Sequence, residues 1–136
     1  MKSMHTIRWL LVLPAAVAAW SLVAFASLAA HAVVGSRLCP PADMVSGMCG
    51  NPTIRVALEV LTHTGVALSA LVVLVVAVSV APSRKLNVLW LFLVVGLGIA
   101  GALSHVIGAW SLWWAALGGA IAGSLLVGRV LRRPSA

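Results

Sequence analysis

Apolar residues along this chain run on for twenty positions or more, and the polar residues collect in the gaps between those runs. Four such runs fall at about 9–34, 54–81, 87–107 and 109–128. A bilayer core of about 30 Å takes roughly 20 apolar residues per helix, because no water is present to satisfy backbone groups. The pattern therefore predicts an all-α integral membrane protein with four transmembrane helices in a single domain, 1–136.

The gaps read as connections. Residues 35–53 hold Cys39, Pro40, Pro41, Asp43, Gly47, Cys49, Gly50, Asn51 and Pro52, a density of turn formers that predicts a long loop. Ala81 to Lys85 is a short basic turn. Around Ile107, Gly108 and Ala109 there is hardly any connection, which predicts a tight antiparallel hairpin of helices three and four. Pro14 removes one backbone bond in helix one and predicts a bend there.

Composition closes off the soluble alternatives. Of 136 residues 62% are hydrophobic and 8% charged, with mean hydropathy +1.14. A soluble domain carries about 25% charged residues. The two acids are Asp43 and Glu59, against nine Lys and Arg. The basic excess is read as a membrane topology signal, and no nucleic-acid partner is expected.

The cations set the expected orientation. Lys2, Arg8, Arg84, Lys85, Arg129, Arg132 and Arg133 fall on one side of a four-span arrangement, and Arg37 and Arg55 on the other. The positive-inside rule then puts both termini in the cytoplasm of a bacterial inner membrane and the cysteine loop in the periplasm. Lys2 and Arg8 before an apolar run, with Ala30-His31-Ala32 after it, resemble a cleavable leader. The run exceeds the roughly 7–15 apolar residues of such leaders, so retention as a first helix is expected.

Small residues mark candidate helix contacts, since close backbone approach organises helices in lipid. Helix three offers Gly96, Gly98 and Gly101, and helix four offers Ala115, Gly119 and Gly123. The first set spells G-x-G-x-x-G, but inside an apolar span with no preceding strand. A dinucleotide site fails that context, and helix packing is the reading retained.

Candidate chemistry clusters toward the outer side. Cys39 and Cys49 are the only cysteines, and an oxidising compartment predicts a disulfide between them. A competing reading joins their sulfurs to Met44 and Met48 as soft ligands for copper. On helix two, Arg55, Glu59 and His63 stand at successive four-residue steps and so share a face. His31 and His105 fall at comparable depth in helices one and three.

Three readings follow. Arg55 and Glu59 form an interfacial ion pair while His63 bonds across helices; or Glu59 and His63 carry a proton or cation in a small transporter; or His31, His63 and His105 hold a metal or haem. No nucleophile–base spacing is present, so no catalysis is expected, and no cofactor is called for apart from the metal alternative. The expected function is a non-catalytic accessory or assembly subunit, working with the lipid bilayer and a membrane-protein partner or a second copy. A small proton-coupled or cation transporter is the alternative, and a periplasm-facing copper, zinc or haem protein the next.

Overall fold

The computed structural model describes residues 2–131, with side chains from Ile7 onward. Arg132 and Arg133 lie outside the described residues, as do the side chains of Lys2 and His5. The elements are α1 (Lys2–Arg37), a 3-10 turn (Pro41–Asp43), β1 (Met44–Val45), β2 (Met48–Cys49), α2 (Pro52–Val80), α3 (Lys85–Ile107) and α4 (Trp110–Leu131). Among the described residues four helices are long and apolar enough to cross a membrane, so the chain is an all-α, multi-pass membrane protein.

The ends of α2 and α3 have local causes. Asn51 caps α2, its Oδ1 accepting from the N–H groups of Thr53 at 3.0 Å and Ile54 at 3.4 Å, with Pro52 at the first helical position. At the far end Ala81 is extended ahead of Pro82, where proline disfavours a helical predecessor. Arg84 opens α3 in the left-handed region at φ 50°. Gly108 closes it at φ 74°: its N–H bonds His105 O, and the Ala109 N–H reaches back to Ser104 O at 3.0 Å. That paired pattern is a Schellman cap, and it needs a residue with no Cβ penalty at positive φ.

The central element is α2. It packs most extensively on α1 and α4, whereas α3 touches α2 and α4 more sparsely and is the least buried span. A buried cluster joins Val12 and Ala16 of α1, Leu74, Ala77 and Val78 of α2, Ala81 of the turn, Val88 and Leu89 of α3, and Ala120 and Val127 of α4. The start of α1 thus packs on the end of α2, at the same end of the bundle as the start of α3 and the end of α4.

Glycines set the closest approach. A Cβ added at Gly119 would overlap the Ala67 carbonyl of α2 and stand 2.7 Å from the Ala67 Cα; one added at Gly123 would stand 3.2 Å from the Leu71 Cα. The candidate contact glycines of helices three and four are therefore used unequally within the chain. Gly119 and Gly123 serve α2, and Gly96 and Gly98 meet nothing within 4 Å. Only Gly101 faces α4, below the Trp113 indole. Ala115 is half-buried and Ala116 takes the seam position instead. At about 100° per residue, 116, 119, 120, 123 and 127 fall within an arc of about 100°, and Ala115 lies about 40° outside it, beyond Gly119.

Candidate functional site

The loop between α1 and α2 is a compact cap. Cys39 is buried and bonded to Cys49, with Cα atoms 5.8 Å apart, near the middle of the usual range. Met44 pairs with Cys49 and Val45 with Met48 across a hairpin whose turn residues, Ser46 and Gly47, both have positive φ. Positive φ at both central residues matches the right-handed twist of the flanking strands. Asp43 clamps the hairpin to α2: its Oδ2 accepts from Asn51 Nδ2 at 2.8 Å and its backbone oxygen accepts from the Gly50 N–H at 2.8 Å. One asparagine thus ties the loop down and starts the helix.

This geometry dismantles the copper reading built on sulfur. Both thiols are consumed in the disulfide. Successive cross-strand pairs point to opposite faces, so Met44 lies on one side of the hairpin and Met48 on the other. Their thioethers do not converge.

The polar face of α2 also differs from expectation. Among the described residues His63 bonds within its own helix: its Nδ1 lies 2.8 Å from the Glu59 backbone oxygen, so the N–H donates there. The nearby Thr62 hydroxyl donates likewise to Leu58 O at 2.9 Å. Satisfying a polar group within its own helix removes the need for a partner helix in lipid. Arg55 and Glu59 are both exposed, and among the described residues no ion pair joins them. The cation precedes the acid, the weaker of the two i,i+4 orientations. A shallow depression lined by Pro52, Arg55, Val56, Leu58 and Glu59 lies beside them, built from this one helix.

Helix length places these groups. At 1.5 Å per residue α2 is about 43 Å long, more than the roughly 30 Å core, and the uncharged run 60–80 alone is about 30 Å. Residues 60–80 are therefore long enough by themselves to span such a core, and Arg55 and Glu59 precede that run.

The remaining histidines stand apart. His31 is exposed on α1. His105 is exposed at the end of α3 and meets Trp110 edge-on, ring centroids 5.9 Å apart, across the Gly108 turn. Among the described residues no three His, Cys, Asp or Glu side chains gather as a metal site, so the trio His31, His63 and His105 is not assembled. Residues 35–53 contain three structural features that spacing arguments passed over. The Ser46-Gly47 dipeptide signals the hairpin turn, and Asn51-Pro52 signals a helix start. The Asp43–Asn51 bond carries no sequence signal, because it depends on how the hairpin folds back.

One contact within the spans has the same character. Trp113 Nε1 donates to Leu97 O at 3.2 Å, crossing from α4 to α3 where Gly101 leaves room. Set against family models, curated proteins and solved structures, the chain matches none of them.

Proposed function

We propose that the protein is a small, non-catalytic subunit of a bacterial inner-membrane assembly, with both termini cytoplasmic and the disulfide cap in the periplasm. In this reading α3 and α4 act as a hairpin, and α3 is the helix offered to a partner. The observation that supports it is the outward face of α3. Gly98 and Ala102 are both exposed, four residues apart, and a Cβ at Gly98 would meet nothing within 4 Å. A small residue every fourth position is what close helix–helix approach in lipid uses. The exposed side of α3 has that spacing at Gly98 and Ala102, on a face the chain's own packing leaves open.

The polar face of α2 lends more support to interfacial contact than to a carrier site. Glu59 is exposed and its neighbouring depression belongs to a single helix. An ion pathway would use a group directed between helices.

Gly98→Leu is the test, because Gly98 takes no part in the fold's own packing. The variant should insert and fold as wild type yet lose its associated protein, or its second copy, in mild-detergent co-purification and cross-linking. Unchanged association would reject the reading. A transporter is tested separately: Glu59→Gln should leave any pH-dependent ion flux in proteoliposomes unchanged.

A further inference from the structure

The end of the bundle away from the disulfide cap carries described cations on three segments: Arg8 on α1, Arg84 and Lys85 at the α2–α3 turn, and Arg129 on α4. The buried cluster places these segments at the same end of the bundle, with α1 packed on α2. Val12 lies one turn beyond Arg8, Ala81 and Val88 flank the Arg84–Lys85 pair, and Val127 precedes Arg129 by two residues. No acid balances them, since Asp43 and Glu59 belong to the cap and the first turns of α2.

Two features make the α2–α3 turn unfavourable as it stands. Arg84 is held at φ 50° and ψ 40°, a left-handed conformation that costs a non-glycine residue stability. It supplies no side-chain cap, and the first turn of α3 holds no acid. Arg84 and Lys85 instead place two positive charges at the positive end of the α3 dipole. Strain, like charges and an adverse dipole coincide on a surface where another helix also presents a cation. An anion bound among them relieves all of the electrostatic terms together.

We propose that this end of the bundle binds the phosphate group of an anionic phospholipid, held between Arg8 and the Arg84–Lys85 turn with Arg129 adding to the field. A phosphate offers several strong acceptor oxygens, which suit guanidinium forks from separate segments. The turn lies at the junction of long apolar helices, where a headgroup on acyl chains is delivered in place. The proposal rests on the membrane reading alone and involves no protein partner, so its failure leaves the subunit reading standing and the converse also holds.

The experiment measures binding of short-chain phosphatidylglycerol, phosphatidylcholine and inorganic phosphate to the purified full chain in neutral detergent, by thermal shift and native mass spectrometry. Phosphatidylglycerol should bind more tightly than phosphatidylcholine. Each cation near an anionic lipid surface is worth about fivefold in affinity, so Arg84→Gln with Lys85→Gln should weaken binding roughly 25-fold. Arg8→Gln should weaken it about fivefold. The pair Arg37→Gln and Arg55→Gln, at the other end, should leave it unchanged. Arg84→Gly separates binding from folding: it relaxes the turn, so the lipid-free protein should hold or gain stability while lipid affinity falls. Equal binding of the two lipids, or equal loss in the Arg37 and Arg55 pair, overturns the proposal. Protection by inorganic phosphate equal to that by phosphatidylglycerol overturns the lipid as the source of the anion.

Discussion

Replacing Gly119 by alanine adds one methyl group at the tightest point of the α2–α4 seam. The new Cβ would stand 2.6 Å from the Ala67 carbonyl carbon, where ordinary contact begins at 3.4 Å. The carbonyl oxygen lies nearer still and all of these atoms are backbone, so no side chain can swing aside and the helices must part by at least 0.8 Å, the difference of those distances. A gap of about 0.5–1 Å forfeits a quarter to a half of the dispersion energy of each atom pair across it. The pairs at risk line Ala116, Ala120, Gly123 and Val127, which are buried on the same face. Overpacking of this kind costs about 1–3 kcal/mol, and in lipid no hydrophobic effect between helices offsets it. An expected loss near 2 kcal/mol follows.

Neighbouring glycines provide the scale. A Cβ at Gly118 meets nothing within 4 Å, so Gly118→Ala should fall within about 0.5 kcal/mol of wild type. At Gly123 the added Cβ stands 3.2 Å from Leu71 Cα and needs only a few tenths of an ångström, so Gly123→Ala should lie between. Reversible unfolding in mixed detergent, followed by tryptophan fluorescence, reads all three. The expected order of cost is 118, then 123, then 119. Equal stability of Gly118→Ala and Gly119→Ala would refute the seam as described.

Other outcomes follow from the same contacts. Replacing Cys39 and Cys49 together by Ser should lower stability by about 2.5 kcal/mol through loop entropy, and reductant should reproduce the loss in wild type but not in the variant. Asn51→Ala removes the cap of α2 and the tie to Asp43, and should cost about 1 kcal/mol or more by the same unfolding measurement. Gly108→Val puts a branched side chain at φ 74° and should cost about 1–2 kcal/mol or more, with faster hydrogen exchange at the end of α3. Trp113→Phe gives up the bond to Leu97 O and should cost only about 0.6 kcal/mol, the average for such bonds between membrane helices.

Residue order alone determined the number of helices, because long uncharged runs have one stable outcome in lipid. The expected starts and ends fall within a few residues of the helices for α2 and α3, where Pro52, Pro82 and Gly108 punctuate the chain. Helix α1 is longer at both ends than its apolar run, because hydropathy marks what can enter a bilayer and a helix can continue beyond it. The Cys39–Cys49 pairing was legible as well, since two cysteines admit a single intramolecular bridge.

Tertiary structure decided which face of each helix meets which neighbour. In a chain apolar all round, periodicity carries no contrast between core and lipid, so Gly119 and Gly96 look alike in sequence. One lies on the Ala67 carbonyl and the other faces open space. Likewise, the four-residue spacing of Arg55, Glu59 and His63 shows a shared side of α2, but whether that side turns inward depends on packing around it. The histidine bonds its own helix and the acid stands exposed, because the neighbours of α2 cover its other face.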